Sequence, residues 1–298
     1  MIIVNPAAGR LRGLRRRLDR VVAALRRRGC AVTLRHAGAP GDAERLAREA
    51  EAEFDVIVAA GGDGTLNAVL NGIAGNVAAL SRPLALLPFG TANVLAHEIA
   101  MPRDPEGLAA VLAAAPARPV WPGRIGERLF LAMASSGFDA AVVAAVNPRL
   151  KRHFGRFAVV WAILACLARY RPCELSVRIG DIEHRAAAAI AAKGRCYAGR
   201  YVVAPEASLA APSLDLVLFE RDGRLAALRY LWVLLRGRLA ARPDVRIVRC
   251  RGALISAAQA LPVEADGDIV GRLPIAVGVG PLPVLLVQPG PAAANRRG

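Results

Sequence analysis

The stretch Asp55-Val-Ile-Val-Ala-Ala-Gly61-Gly62-Asp63-Gly64-Thr65-Leu66-Asn67 decides how the rest of the chain is read. Asp55 to Ala60 is a short apolar run ending at glycines, the pattern of a strand buried on both faces of a parallel sheet. From Thr65 to Ile73 the apolar residues Leu66, Val69, Leu70 and Ile73 recur at helical spacing. Gly61, Gly62 and Gly64 lie between strand and helix, where missing side chains let the backbone wrap closely around a ligand. A helix starting there points its first N–H groups and positive dipole end at that space, which suits a phosphate. Asp63 would repel a bare phosphate unless a divalent metal or a ligand hydroxyl stood between them. The stretch therefore predicts a nucleotide with Mg2+.

The same layout recurs at Leu84-Ala-Leu-Leu-Pro88-Phe-Gly90-Thr91-Ala-Asn93, with a helix expected from about Val94. Met1 to Val4 is a further strand, and Asn5-Pro6-Ala-Ala-Gly9 turns into a basic helix, Arg10 to Arg28. Its apolar stripe is Leu14, Leu18, Val21, Val22 and Leu25. A second strand is expected at Ala31 to Arg35, and a second helix at Gly41 to Glu53 with Asp42 as its N-cap. Strand alternating with helix so regularly predicts a doubly wound parallel sheet whose strand-end loops line one crevice.

Prolines 102, 105, 116, 119 and 122 cluster before Gly123, which places a domain boundary there. The expected division is a nucleotide-binding α/β domain at 1–121, a β-rich domain at 122–288 and a frayed tail at 289–298. In the second half, apolar runs at Leu129 to Ala134, Leu175 to Ile179, Ala186 to Ala192, Leu214 to Phe219, Val245 to Val248 and Ile275 to Val279 are broken by Gly, Pro and Asp. That spacing predicts an antiparallel sheet or sandwich, interrupted by helical insertions at Asp139 to Tyr170 and Leu225 to Ala241.

The motifs Asn5-Pro6…Gly9, Gly61-Gly62-Asp63-Gly64-Thr65 and Pro88-Phe-Gly90-Thr91-Ala-Asn93, followed far downstream by Asp266-Gly267-Asp268, resemble the diacylglycerol kinase catalytic-domain family. That family includes bacterial lipid kinases, sphingosine kinases and ceramide kinases. The resemblance covers nearly the whole chain, and its motifs are specific in combination; GGDG alone also occurs in NAD kinases and phosphofructokinases. It implies an α/β nucleotide domain (NAD kinase/diacylglycerol kinase-like) and a β-rich sandwich domain with the active site between them. The implied activity is transfer of the γ-phosphoryl of ATP to the hydroxyl of a lipid such as diacylglycerol, with ATP and Mg2+ as cofactors.

Residue by residue, the resemblance places the nucleotide on Asn5, Pro6, Gly9, Gly61, Gly62, Asp63, Gly64, Thr65, Asn67, Gly90, Thr91 and Asn93. For Asn67 and Asn93 the alternative is capping of a helix start. The family puts its proton acceptor at the last residue of a DGE motif, where Asp268 stands. Asp268 and Asp63 are thus the expected catalytic residues, with Glu264 and Asp266 as fallbacks for the base. Read from the residues alone, Asp266-Gly267 between apolar runs is a hairpin turn. Asp139, in a Gly137-Phe138-Asp139 element also found in the family, is expected to cap the following helix, the alternative being that it faces the cleft.

The sequence departs from the family pattern at Val94, where many members carry Asp, and at Ala37, which replaces a nucleotide-touching threonine. Ala211-Pro212 replaces an Asp-Gly pair in a segment near which relatives can bind a structural Mg2+. Two alternatives stay open at this stage. One is an NAD kinase-like enzyme with a small-molecule acceptor, against which stands the Thr91-Ala-Asn93 loop where an Asn-Glu motif would be expected. The other is a nucleotide- or lipid-binding relative without catalysis.

The composition narrows the partners. Of 298 residues 55% are hydrophobic, ample for packed cores, and the net charge of +16 favours anionic partners. No aromatic-plus-basic signature or helix-turn-helix pattern points to nucleic acid. Cys30, Cys166, Cys173, Cys196 and Cys250 show no CxxC spacing and read as reduced thiols of a cytosolic protein. The apolar run Phe157 to Ala168, flanked by Arg156 and Arg169, is too short for a bilayer core, which takes about 20 residues. Leu225 to Arg242, with Tyr230 and Trp232 among leucines and arginines, fits an interfacial helix, and Lys151-Arg152-His153-Phe154 leads into the other apolar segment. The expected setting is cytoplasmic, with peripheral contact at an anionic inner membrane face. The expected partners are ATP, a lipid alcohol and a second copy of the chain in a homodimer.

Overall fold

A computed structural model describes residues 1–6, 11–76, 81–146, 156–170 and 172–290. Gly9, the Lys151-Arg152-His153-Phe154 segment and the tail beyond 290 lie outside the described residues. The chain divides into two compact units, Met1–Val120 with the chain from Pro283 onward, and Trp121–Leu282.

In the first unit, β1 (Ile2–Val4), β2 (Leu34–His36), β3 (Ile57–Gly61), β4 (Leu84–Pro88), the chain's last strand Val284–Val287 and β5 (Ala117–Val120) form one sheet. The order is β2-β1-β3-β4, then the last strand, then β5. The pairings from β2 to the last strand are parallel, and only β5 runs antiparallel. β3 and β4 are buried along their whole length, as their unbroken apolar runs require. Helix α1 (Leu11–Arg27) joins β1 to β2 in one direction. Helices α2 (Asp42–Arg48) and α3 (Asp63–Ala74) carry the chain back the other way. Right-handed crossovers then put α1 on one face and α2 and α3 on the other. The packing agrees: α2 lies against α3, and α1 lies against α5 (Pro105–Ala114) after the short helix α4 (Val94–Glu98). The doubly wound sheet expected from the sequence is therefore present, with Leu14, Leu18, Val21, Val22 and Leu25 buried beneath α1.

Three expectations for this unit need correction. β2 starts at Leu34 rather than Ala31. The second helix ends at Arg48, not Glu53, and begins after Gly41, whose φ of 86° suits glycine; Asp42 does not cap it. The Asp42 carboxylate instead accepts the N–H groups of Gly38 and Ala39 (3.0 and 2.9 Å), closing the turn before the helix. The last strand, assigned from sequence to the β-rich domain, adds to the parallel sheet between β4 and β5. Its Val-Leu-Leu-Val run carries no local mark of its partners, which are Leu84 on one side and Ala117 to Val120 on the other.

The second unit is a sandwich of two fully antiparallel six-stranded sheets, as the sequence pattern predicted. One sheet holds β6 (Gly123–Ile125), β7 (Arg128–Phe130), β9 (Leu175–Ile179), β10 (Ile182–Ala186), β16 (Gly252–Ala257) and β19 (Ile275–Val279). The other holds β8 (Met133–Ser136), β11 (Ala188–Ala192), β14 (Leu214–Phe219), β15 (Val245–Cys250), β17 (Pro262–Ala265) and β18 (Asp268–Arg272). The short pair β12 (Cys196–Tyr197) and β13 (Tyr201–Val202) stands apart. Phe130, Leu175, Val177, Leu216, Ile255, Val263 and Val277 fill the space between the sheets.

Two runs read as single strands are in fact divided between layers. Leu129 to Ala134 breaks at Leu131-Ala132, and Ala186 to Ala192 passes from one sheet to the other at Ala187. The first helical insertion is described as α6 (Phe138–Ala145) and α7 (Arg156–Ala168). The second is α8 (Arg224–Leu235), followed by a 3-10 turn at Leu239–Ala241.

Candidate active site

β1 sits between β2 and β3, so the chain leaves β1 toward one side of the sheet and returns to the other, and a crevice opens where the loops after β1 and β3 diverge. Asn5 follows β1, with its N–H on Ala60 C=O (3.0 Å) and its side-chain amide donating to Thr65 Oγ1 (3.0 Å). Thr65 is buried in the first turn of α3. The α3 N-cap is Gly62, and no described side chain caps it. The first intrahelical bond runs from Leu66 N–H to Gly62 C=O (3.1 Å), so the N–H groups of Asp63, Gly64 and Thr65 precede it at the positive end of the helix.

The loop after β4 is zipped to this one. Phe89 and Gly90 both donate N–H to Gly61 C=O (2.8 and 3.0 Å). A Cβ on Gly90 would fall 2.4 Å from Gly62 Cα, and one on Gly61 would fall 2.4 Å from Thr65 Oγ1. Only glycine fits such an approach. Asn5, Gly61, Gly62, Thr65 and Gly90 are thus brought together, with Asp63 and Gly64 at the partly exposed mouth and Thr91 exposed beside them. Pro6 continues the loop after β1.

Neither asparagine caps a helix start with its side chain. Asn93 holds left-handed backbone (φ 48°, ψ 53°); its Oδ1 accepts Gly90 N–H and its Nδ2 donates to Gly90 C=O, both at 2.9 Å. It braces the Gly90-Thr91-Ala92 turn instead of capping α4 with its side chain. Asn67 is buried inside α3, beyond any capping position, and accepts from Asn71 Nδ2 (3.1 Å). Arg17 of α1 lies over the Phe89 ring (5.1 Å), a contact the helix pattern gave no sign of.

The second unit holds the carboxylates. Asp266 (φ 49°) and Gly267 (φ 90°) are the two consecutive positive-φ residues of a tight hairpin between β17 and β18, so the turn reading of Asp-Gly is correct. Asp266 is buried and accepts the N–H groups of Leu131, Ala132 and Met133 (2.8, 2.9 and 3.2 Å), clasping the start of β8. Glu264 is fully buried, with Oε1 2.9 Å from Ser135 Oγ and Oε2 accepting Gly267 N–H (2.9 Å). Both fallback carboxylates are buried and take up neighbouring hydrogen-bond donors. Asp268 is the exposed member of the three.

Asp139 corrects the capping expectation. Helix α6 starts after Gly137 (φ 107°), and the Asp139 side chain turns back to Ser135 Oγ (2.6 Å) and accepts the Tyr197 hydroxyl. Ser135 therefore lies between two carboxyl groups with one hydrogen to give. The other contact needs a proton from a carboxyl. Burial pushes both carboxyls up, Glu264 well above the ordinary range, with the neighbouring Asp139 charge adding to it. Ser135 and Tyr197 donate to Asp139, and Glu264 is the more strongly raised of the two carboxyls. Tyr197, itself raised by burial and then by Asp139, stays a donor. Sequence inspection gave no hint of Ser135 or Tyr197, which meet Glu264 and Asp139 only through sheet pairing.

Residues 1–125 match the family described as the diacylglycerol kinase catalytic domain, and residues 132–288 the one described as the YegS C-terminal NAD kinase beta sandwich-like domain. The chain is 34% identical to the "Probable lipid kinase YegS-like" of Pseudomonas putida over 82% of this chain and 81% of that protein. It is 30% identical to the diacylglycerol kinase of Staphylococcus haemolyticus over 92% of this chain and 83% of that one. Against the diacylglycerol kinase of Bacillus subtilis the figures are 27%, 92% and 90%. A solved structure of a diacylglycerol kinase from Bacillus anthracis shares the fold, with a TM-score of 0.73 at 18% identity, covering 98% of this chain and 97% of that chain. The chain belongs to the diacylglycerol kinase catalytic-domain family of lipid kinases.

Proposed function

We propose that the chain transfers the γ-phosphoryl group of ATP to the hydroxyl of a lipid such as diacylglycerol, with the strand-end loops of the first unit holding the nucleotide and Asp268 taking the hydroxyl proton. The observation that carries the nucleotide half is the backbone contact of Gly62 with Gly90 beside the α3 N-terminus, next to the crevice between the loops after β1 and β3. Phosphoryl transfer asks the protein mainly for positioned phosphates, charge neutralisation and a base. N–H donors at a helix end, with the Asn5 and Thr65 side chains fixed beside them, supply the first. Asp63 lies in the first turn of α3, and its carboxylate oxygens would suit a hard cation accompanying phosphates held at that helix end. The metal, when bound with ATP, neutralises charge on the phosphates.

The acceptor reading rests on a surface of the second unit. In α8, Leu225, Leu228, Trp232 and Leu235 are exposed at a spacing of three to four residues, Leu225 to 83%. Val160, Trp161 and Leu164 of α7 are exposed as well, Trp161 to 69%. The two helices are tied together where Arg224 donates to Ala168 C=O (3.0 Å) and Tyr170 bonds Asp222. Arg236 stacks over Trp232 (4.3 Å). Exposed tryptophans and leucines beside arginines suit the headgroup region of an anionic bilayer. No helix among the described residues is long and apolar enough to cross a membrane, so this reading gives the protein a peripheral place, at the cytoplasmic face where ATP is supplied.

Incubating the full chain with γ-labelled ATP, Mg2+ and a panel of lipid alcohols alongside NAD tests the proposal. Label in an organic-extractable product supports it. Label in NADP, or ATP binding without transfer to any acceptor, refutes it.

A further inference from the structure

Lys193 is one of two lysines among the 40 basic residues of the chain. It directly follows β11, gives its N–H to Ala132 C=O (2.8 Å) and is fully buried. Lysine is almost never fully buried without partners. Here Nζ donates to the carbonyl oxygens of Ala211 (2.6 Å), Ser213 (2.7 Å) and Ser208 (3.4 Å), all from the loop that leads into β14. Burial depresses the ammonium to about 8 and the Asp215 charge opposes that, so the group is a cation at neutral pH. Several oxygens of one loop converging on one compact positive centre is the arrangement a hard metal ion takes. A guanidinium is too broad and flat for it, which explains a lysine in a chain that otherwise uses arginine.

Relatives in the family that the motifs resemble can bind a structural Mg2+ near this same segment. The donors present do not fit one. Ala211-Pro212 offers no carboxylate, and the buried Asp215 is held by Arg249 through Nε (2.8 Å) and Nη2 (3.1 Å). Glu206 is exposed, 3.8 Å from the same guanidinium. The backbone oxygens that would complete a metal shell already receive the Lys193 protons.

We infer that Lys193 is a chain-borne substitute for a structural divalent cation, its ammonium fixing Ser208 to Ser213 against β11 so that the sandwich unit reaches its working form without bound metal. The inference does not depend on the lipid or on the base. On the kinase reading above, it leaves the ion that accompanies ATP as the enzyme's metal requirement.

Hydrogen exchange of the nucleotide-free full chain tests it locally, at the amides of Ala207 and Ala211, which are bonded to Ala204 and Ser208 C=O within this loop. Protection there should be the same in excess Mg2+ and in EDTA. In Lys193→Met it should fall about tenfold or more while amides of the parallel sheet stay unchanged. Mg2+-dependent protection of these amides in the native chain would overturn the inference, and so would native-like protection in Lys193→Met. Should that variant fail to fold, the comparison of Mg2+ with EDTA on the native chain decides alone. Because no phosphoryl transfer is read, failure here is distinguishable from failure of the kinase assignment.

Discussion

A Cβ placed on Gly90 would lie 2.4 Å from Gly62 Cα, so the ends of two neighbouring parallel strands meet backbone to backbone. A side chain at Gly90 would force the two loops apart, while a Cβ on Gly62 would meet Gly90 Cα at 3.2 Å. Gly90→Ala should cost about 1–3 kcal/mol of stability and weaken ATP binding, as read by denaturant unfolding and nucleotide titration. Gly13→Ala is the control: nothing lies within 4 Å of its Cβ on the exposed face of α1, and it should be neutral or stabilising by up to about 1 kcal/mol. Equal effects of the two substitutions would contradict the close approach.

Asp266 accepts three consecutive backbone N–H groups at the start of β8, and removing it leaves all three donors orphaned in the interior. Asp266→Ala should destabilise the protein by about 3–5 kcal/mol in urea unfolding. A loss below about 1 kcal/mol would show that the clasp contributes little.

Glu264 is raised above the ordinary carboxylate range, first by burial and then by Asp139. The folded chain thus keeps a proton that the unfolded carboxyl loses near its ordinary value of 4.5. Its contribution to stability is complete below that value and declines as pH rises toward the folded-state value. Glutamine mimics the protonated form and cannot titrate. In Glu264→Gln the stability relative to the native chain should therefore increase from pH 5 to pH 8, by at most about 1.4 kcal/mol per pH unit. Melting curves of the two proteins that run parallel over this range would rule out the proton on Glu264.

The exposed stripe of α8 predicts a membrane phenotype separable from folding. Trp232→Ala with Leu225→Ala should reduce sedimentation with anionic vesicles several-fold and leave thermal stability nearly unchanged, since both side chains are mostly in solvent. Binding of the native chain should also fall as salt rises. Vesicle binding that survives both substitutions would move the contact elsewhere.

The parallel sheet was legible because its signals are local. Three glycines between an apolar run and a helical stripe announce a strand, a tight loop and a helix within residues 55 to 73. Where pairing partners lie far off in sequence, the reading failed. Val284–Val287 looks like any apolar strand, and only Leu84 and Ala117 to Val120 determine that it belongs to the first sheet. The Ala186 to Ala192 run changes sheets at Ala187 without a glycine or proline to mark the step. Asp139 looked like a helix cap because capping is a local rule, yet Ser135 and Tyr197 outcompete the helix end for its carboxylate. Lys193 did leave a trace, as one of two lysines in an arginine-dominated chain, directly after an alanine-rich strand. Its meaning required the carbonyls of residues 208 to 213.

Asp268 as the base is tested most directly by comparing ATP affinity and turnover in Asp268→Ala and Asp268→Asn with lipid substrate in anionic vesicles. Both variants should bind ATP within about twofold of the native chain and lose about 10²–10⁴ in kcat, the range expected for removal of a general base. Full turnover in either variant would contradict the assignment of Asp268.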